Sequence, residues 1–256
     1  PVYAQTISTE IDLTAGYSGE EIRATASQIR LFGEGPAGVG FFVETAWGDR
    51  WAGDAPIIGD VPSGSDPIGT DLFGAAYPYG GRVQLMEAYA ERHFRPRGAL
   101  LGVRAGRFRT PFGIYSRSDY GYTGFVRPPL IRYDGYWAVS NNWLENGVML
   151  TAGVPALFVE TSISRPYDVG FAKRREGTDG SVRVQGYVSQ LIVGVSHTRS
   201  NPYMPVRFAL GRQVFTGVDA RWAHSAGIQM RAELLSGQSF EGVSTTGWYV
   251  DGLLHR

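Results

Sequence analysis

Arginine side chains offer most of the chemistry that this sequence could perform. Lys173 is the only lysine, so guanidinium groups carry nearly all of the basic charge. A guanidinium group presents its donors in a planar fork, which matches carboxylates and phosphates. One concentration of arginines, interspersed with tyrosines, comprises Arg104, Arg107, Arg109, Arg117, Arg127 and Arg132. Two interpretations stay open: these arginines attract anionic solutes, or they pair with phosphates outside the chain and with its own acids.

Other reactive residue types give no sign of catalysis. The four histidines, His93, His197, His224 and His255, stand singly and without the HExxH spacing of a metal site. Ser196 and His197 are adjacent, but no third member of a hydrolytic site accompanies them. We therefore predict no enzyme activity, no metal and no cofactor. The sequence contains no cysteine, and its net charge of zero gives no reason to expect a nucleic-acid partner.

Most of the charged residues lie in segments where apolar and polar residues alternate. In one such segment Ile228, Met230 and Leu234 interleave with Arg231 and Glu233. A period of two indicates a β-strand. Strands of this kind are predicted over residues 6–16, 21–32, 39–47, 82–94, 99–110, 142–154, 157–164, 182–188, 191–196, 214–222 and 228–234, with a last one beginning near residue 246. The alternation loses its phase near Gln28, which predicts a β-bulge or a strand end there.

The connections between these strands have two lengths. Long connections are predicted over residues 48–80, 111–141, 166–180 and 200–213, and they largely alternate with tight turns such as the one at Ser189 and Gln190. Outer-membrane barrels alternate short periplasmic turns with long extracellular loops in this way. We therefore predict an all-β fold, with about twelve antiparallel strands in a single barrel domain over residues 1–256.

Three features favour a barrel in lipid over a soluble β-sandwich. The apolar positions hold mostly small residues, the aromatic residues collect near strand ends as in interfacial girdles, and the polar positions carry charges of both signs. Arg183, Arg221 and Arg231 occupy such polar positions and are predicted to line the lumen. Their partners across the lumen are predicted to be acids on the polar faces of other strands, namely Glu87, Glu145, Glu160, Asp219 and Glu233.

One segment resembles a known family. Residues 83–113 read VQLMEAYAERHFRPRGALLGVRAGRFRTPFG, which is similar to a hairpin of the Gram-negative outer-membrane porin superfamily that includes the phosphate-selective-porin-like proteins. The resemblance implies a trimeric diffusion channel with a polar, often cationic, constriction. It also implies that the long loop after this hairpin folds into the barrel, which would place the arginines from Arg104 to Arg132 at the constriction.

Two positions depart from a simple porin pattern. The sequence ends at Leu254, His255 and Arg256 rather than at a strand with a terminal aromatic residue. We therefore expect further strands beyond Arg256, to a total of about sixteen, or another chain that covers the edge. The strand phase that places Arg104 inside turns Arg107 outward, so Arg107 and Arg109 should lie near the rim or be turned inward by a bulge.

Together these features predict an outer-membrane porin for the passive diffusion of small hydrophilic solutes, anions among them. The alternative is a plugged structural barrel that acts as an anchor or partner in a larger assembly, and a soluble secreted β-protein ranks below both. Expected partners are outer-membrane lipids and lipopolysaccharide, two further copies of the chain in a homotrimer, and an assembly partner.

Overall fold

A computed structural model describes residues 6–17, 22–35, 38–48, 83–114, 144–166, 177–200, 212–238 and 244–254. These residues form one twelve-stranded sheet in which every strand pairs antiparallel with its neighbours in chain order. The strands are β1 (Thr6–Tyr17), β2 (Ile22–Glu34), β3 (Val39–Gly48), β4 (Val83–Phe94), β5 (Leu100–Arg109), β6 (Leu144–Val154), β7 (Leu157–Pro166), β8 (Asp179–Val188), β9 (Leu191–Ser200), β10 (Gln213–His224), β11 (Ile228–Gln238) and β12 (Ser244–Leu254). The prediction of an all-β antiparallel barrel fold with about twelve strands in this stretch is confirmed.

The prediction of an irregularity near Gln28 is wrong. Gln28 pairs regularly with Asp12 on β1 and with Ala46 on β3. The register of β1 and β2 shifts instead at the far end, between Gly16 and Tyr17. The apparent change of phase lies in the residue types alone, because Ala24 and Ala26 stand at even positions and Ile29 and Leu31 at odd ones while the pairing stays regular.

The connections divide between the two ends of the sheet. Successive antiparallel strands reverse direction, so the turns over residues 35–38, 95–99, 155–156, 189–190 and 225–227 share one end, here called the short end. A 3₁₀ turn, Pro96–Gly98, forms one of them, and Ser189 adopts a positive φ of 53° in another. The opposite end, here called the long end, carries all four predicted long loops, at 48–80, 111–141, 166–180 and 200–213. Most of their residues lie outside the described ranges.

The distribution of side chains is the reverse of that in a soluble protein. On adjacent positions of β9, Val195 is 50% exposed on the outer face and Ser196 is 1% exposed on the inner face. The same alternation, with apolar residues outward and polar residues inward, recurs along β5 to β8 and β10 to β12. A barrel wall between lipid and a polar lumen requires this arrangement.

The sheet is curled so that distant strands face each other. Residues 110–114, which follow β5 and are called here the inserted segment, are buried against β9, β10 and β11. Within the described ranges β1 pairs with β2 and β12 pairs with β11. No helix among the described residues combines the length and the hydropathy needed to cross a membrane.

Candidate functional site

The inner face of β8 to β10 carries a buried ion pair. Arg183 on β8 donates from Nη1 to Asp219 Oδ2 at 2.6 Å and from Nη2 to Asp219 Oδ1 at 2.9 Å. Asp219 is on β10, so the pair spans the intervening strand β9, where Gly194 lies directly opposite Asp219. A Cβ at Gly194 would lie 2.5 Å from the Asp219 carboxylate and 2.7 Å from the Arg183 guanidinium. The absence of a side chain at Gly194 therefore creates the gap that the ion pair fills.

The ion pair is part of a larger polar cluster on the same wall. Arg183 Nη1 also donates to Ser196 Oγ at 3.0 Å. When the amide oxygen of Gln185 faces the guanidinium groups, it accepts from Arg183 Nη2 at 2.9 Å and from Arg221 Nη2 at 3.0 Å. Glu160 on β7 is buried directly opposite Arg183 in the strand register. The arginines on this wall therefore face acceptors supplied by the wall itself.

The last described strands carry a second pair. Arg231 on β11 donates from Nη2 to Asp251 Oδ2 on β12 at 3.1 Å. The same guanidinium lies 5.4 Å from the centre of the Tyr249 ring. The strand register accounts for both contacts of Arg231. Asp251 lies directly opposite Arg231, and Tyr249, which lies opposite Glu233, is diagonal to it.

The inner face of β1 to β5 carries a chain of alternating charges. Arg30 on β2 lies 3.0 Å from Glu10 on β1 and 3.8 Å from Glu44 on β3. Arg109, after the regular part of β5, lies 3.7 Å from Glu44 and 3.1 Å from Glu87 on β4. Glu44 is fully buried between the two arginines, so each of its neighbours offsets its charge.

Closer to the short end, an aromatic stack lies beside a further ion pair. Arg104 on β5 donates to Glu91 Oε2 from Nε at 3.1 Å and from Nη2 at 2.7 Å. Its guanidinium also covers the Tyr89 ring at 3.8 Å, within the range of a cation–π contact. Phe42 on β3 stacks on Tyr89, with ring centres 5.2 Å apart and planes 17° apart.

The inserted segment crosses the lumen and binds the opposite wall. The amide of Gly113 donates to Ser196 Oγ at 2.9 Å, and the amide of Ile114 donates to Glu233 Oε1 at 3.2 Å. Phe112 is fully buried and lies over Gly217 of β10. Gly113 has a φ of 59°, and a Cβ there would overlap the Glu233 carboxylate. Glycine is thus required at position 113 both by its conformation and by its close approach to the wall.

Arg107 and Arg109, whose orientation the sequence left open, differ in the structure. Gly106 has a φ of 136°, and beyond it the burial of β5 ceases to alternate. Arg109 is buried and points inward, and its amide donates to Glu87 Oε1 at 3.1 Å. Arg107 lies opposite Ala88 in the outward phase and is half-buried near the long end of β5. An irregularity therefore turns one arginine inward and leaves the other at the rim.

The remaining predicted site residues divide into two groups. Inward positions are occupied by Arg104, Arg183, Arg221, Arg231, Glu87, Glu160, Asp219 and Glu233. Arg117, Arg127 and Arg132 lie outside the described residues, as does the side chain of Glu145. Glu87 and Asp219 are predicted to have partners across the lumen. In the structure each of these two acids instead pairs with an arginine on its own wall. Strands only one or two positions apart in the sheet bring these groups within hydrogen-bonding distance. Glu233 does hold a segment that comes from across the lumen.

Sequence reasoning did not single out several members of these networks. They are Arg30, Glu44, Glu91, Gly194 and Asp251, with the aromatic residues Phe42 and Tyr89. Ser196 stands out in the sequence only as the neighbour of His197. A period of two would have placed most of them on the inner face, and for Arg30 the apolar Phe32 two residues later obscured that phase.

Neither catalytic chemistry nor a metal site follows from the described residues. Ser196 points inward, whereas its neighbour His197 points outward and lies 2.9 Å from Thr216 Oγ1 on the outer face. The two side chains are on opposite faces of β9 and so cannot form one site. Within the described ranges no group of three or more histidine or acidic side chains could hold a metal ion.

Solved structures of outer-membrane proteins are similar to this chain at low sequence identity. No protein-family model and no curated protein matches it. Among solved structures, OmpT, an outer membrane protein of Vibrio cholerae in its trimer form, is 9% identical, with a TM-score of 0.41 over 96% of this chain and 82% of that chain. Salmonella typhi OmpF, in complex with daunomycin, is 11% identical, with a TM-score of 0.40 over 96% of this chain and 82% of that chain. A mutant of the Rh. blastica porin is 12% identical, with a TM-score of 0.36 over 96% of this chain and 98% of that chain.

Proposed function

We propose that this outer-membrane β-barrel is a passive diffusion channel for small hydrophilic solutes. The observation that carries the proposal is the reversed distribution of side chains. The outer face is apolar, whereas the inner face holds a network of charged groups that would have no role against a dry interior. These groups satisfy one another in ion pairs, as Arg183 does with Asp219 and Arg109 with Glu87, and we infer that the passage runs beside these pairs. We also propose that residues 1–256 belong to one barrel domain.

The inserted segment supplies the narrowing that a selective channel needs. It occupies the interior between β5 and the opposite wall, and Ser196 and Glu233 hold it there. Among the predicted pore-lining residues, Arg109 lies next to the start of this segment, and Arg183 shares Ser196 with it. We infer that solutes pass between the inserted segment and the charged walls, and that Arg117, Arg127 and Arg132 belong to the continuation of the same constriction.

The charges of the inner face favour weak selection, with cations preferred over anions. Each inward arginine for which the structure gives a pair, such as Arg183 or Arg109, is already offset by a carboxylate. Carboxylates also outnumber guanidinium groups on the described inner face. The acids are Glu10, Glu34, Glu44, Glu87, Glu91, Glu160, Asp179, Asp219, Glu233 and Asp251, and the bases are Arg30, Arg104, Arg109, Arg183, Arg221 and Arg231. The described walls thus give little support to the interpretation in which the arginines attract anionic solutes.

Electrical recording from the refolded protein in planar lipid bilayers tests this function. We expect discrete conductance steps in symmetrical KCl, and in a KCl gradient a reversal potential whose sign indicates that K⁺ passes more readily than Cl⁻. Protein that is folded, as judged by heat-dependent migration on gels, but carries no current would contradict the proposal.

A plugged structural barrel is the second candidate, and one observation favours it. Phe108, Phe112, Ile114 and Phe215 are fully buried although they are enclosed by a polar inner face. Apolar packing of this kind inside the barrel is what an occluded lumen would contain. A stoichiometric partner that co-purifies with a non-conducting protein would support this candidate over the channel.

Assembly and lipid contacts belong to the same proposal. Exposed leucine, isoleucine and valine side chains on the outer face suit the acyl chains of outer-membrane lipids, and lipopolysaccharide would surround the long end. A homotrimer would cover part of this apolar face with two further copies. Native mass spectrometry of the protein in mild detergent measures the number of copies, and a monomer only would exclude the trimer.

A further inference from the structure

A recess of about 580 Å³ opens on the inner face of β1 to β4, near the short end. Its walls include Ser8, Phe32, Phe42 and Tyr89, which the strand register places in one continuous row. Ser8 pairs with Phe32, Phe32 with Phe42, and Phe42 with Tyr89. Three aromatic rings on neighbouring strands therefore share one row of an otherwise polar face. This row lies outside the buried ion-pair clusters around Arg183 and Arg109.

The rings are unequally covered. Tyr89 lies between Phe42 and the guanidinium of Arg104, so its ring already makes contacts within the wall. Phe32, at the other end of the aromatic row, is 38% exposed although it points toward the lumen. The small side chain of Ser8 beside it leaves space over the ring. An uncovered phenyl ring on a polar wall is a surface on which a flat apolar group can lie.

Carboxylates surround this aromatic surface. Glu10, Glu34 and Glu91 line the recess, and no arginine or lysine among the described residues does. The Glu10 side chain is 54% exposed and that of Glu91 is 22% exposed, even though each contacts an arginine. Glu34 is exposed at the end of β2 and forms no ion pair within the described ranges. The recess thus combines an apolar platform with a surplus of negative charge.

We propose that this recess binds small organic cations that carry a flat apolar group, such as aryl-ammonium compounds. The ring of the ligand lies on Phe32 and Phe42, and its ammonium group faces Glu34 and the exposed side of Glu10. Both the quadrupole of an aromatic ring and the carboxylates attract a cation, whereas an anion would be repelled by Glu34, whose charge no arginine of the described ranges offsets. The site deepens the proposed channel function, on which its biological role rests, by naming a class of solute that pauses inside the barrel.

Two measurements on the full chain test the site with benzyltrimethylammonium as the probe. Isothermal titration of the refolded protein in detergent measures binding directly, and bilayer recording measures block of the KCl current by the probe added at either end. Phe32→Leu keeps the apolar bulk and removes the aromatic face, and Glu34→Gln removes the charge. We expect each variant to weaken binding by about three- to tenfold, in line with partly exposed cation–π and charge contacts.

Phe158→Leu is the matched control. Phe158 is on β7 and lines a separate recess at the same end, together with Arg95 and Tyr187 but with no acid. We expect this variant to bind the probe as tightly as the unaltered protein. Heat-dependent migration on gels shows whether each variant is folded before binding is compared.

Several outcomes would overturn the proposal. Benzyl alcohol, the neutral analogue, should bind at least about tenfold more weakly than the probe, because it lacks the charge; equal binding excludes a cation site. Unchanged affinity in both Phe32→Leu and Glu34→Gln, or no binding at all, also excludes it. Binding without ion conductance retains the site and contradicts the channel, whereas conductance without binding does the reverse.

Discussion

The guanidinium of Arg183 and the carboxylate of Asp219 form two hydrogen bonds, of 2.6 and 2.9 Å, across the strand that separates them. Both side chains are completely shielded from solvent. Since β8, β9 and β10 are already joined by backbone hydrogen bonds, the pair adds a side-chain tie over the same three strands. The wall against which the inserted segment lies is therefore reinforced at this point.

Removing either partner of this pair should destabilise the barrel, and the losses from the two removals should not be additive. Arg183→Gln or Asp219→Asn leaves a buried charge uncompensated, which costs about 3–5 kcal/mol of unfolding free energy. The double variant leaves two neutral amides, and its loss should be smaller than the sum of the two single losses. Urea unfolding in lipid vesicles, monitored by tryptophan fluorescence, measures the unfolding free energy of the two single variants and of the double variant. Simple additivity would show that the two groups do not interact.

A methyl group at position 194 should disturb the same ion pair without changing any charge. Gly194→Ala places a Cβ against both Asp219 and Arg183, and we expect a loss of about 1–3 kcal/mol from this overpacking. Gly186→Ala is the control, because no atom lies within 4 Å of the Cβ that it would add on β8. Equal unfolding free energies of the two variants in vesicles would contradict the claim that the ion pair needs the space at Gly194.

The inserted segment should loosen when its two acceptors on the wall are removed. Ser196→Ala removes the acceptor of the Gly113 amide, and Glu233→Ala removes that of the Ile114 amide. A lost hydrogen bond of about 1 kcal/mol raises the detached population about fivefold, so single-channel conductance and current noise should increase. Ser236→Ala, which removes a hydroxyl pair with Thr246 on the exposed outer face, should leave both unchanged. Unaltered current in Ser196→Ala and Glu233→Ala would mean that the segment does not control the passage.

The outer face of β8 should tolerate charge according to its depth in the bilayer. Val184 lies in the middle of this strand and Val188 at its short end, both outward. Val184→Arg should cost about 2–4 kcal/mol, and Val188→Arg about 0–1 kcal/mol, because the penalty falls toward the interface. Urea unfolding in lipid vesicles measures the unfolding free energy of both variants. Equal losses in the two variants would indicate that lipid does not surround this strand.

The two ends of the barrel should face different compartments. The sequence has no cysteine, so a single introduced thiol reports its own exposure. Arg212→Cys at the long end should react with a membrane-impermeant maleimide on intact cells, and Gln190→Cys at the short end only after the outer membrane is permeabilised. The opposite pattern of labelling would reverse the orientation.

Strand positions are predictable from this sequence because a barrel wall between lipid and water imposes a period of two. The segment predicted over 142–154 appears as Leu144–Val154, and the one predicted over 6–16 as Thr6–Tyr17. The failure near Gln28 arises because apolar residues change from even positions, Ala24 and Ala26, to odd positions, Ile29 and Leu31, without any irregularity in the strand pairing.

Ionic partners are less predictable, because they depend on register and on local irregularities. Arg183 and Asp219 are 36 residues apart in the chain and meet only when three strands are aligned. The inward turn of Arg109 depends on the conformation around Gly106, which alternation alone does not reveal. The contact of Gly113 with Ser196, 83 residues later, could not be read from local pattern at all.

The inserted segment also sets an order of events during folding. Its two hydrogen bonds join residues 83 and 119 positions apart, to strands that are synthesised long after β5. Contacts of such sequence separation form slowly because a long loop must first be closed. Phe112 and Ile114 thus stay uncovered until β9, β10 and β11 have assembled. A chain arrested before β11 is in place would have no binding site for this segment, so the segment can occupy the lumen only after the strands that bind it have assembled.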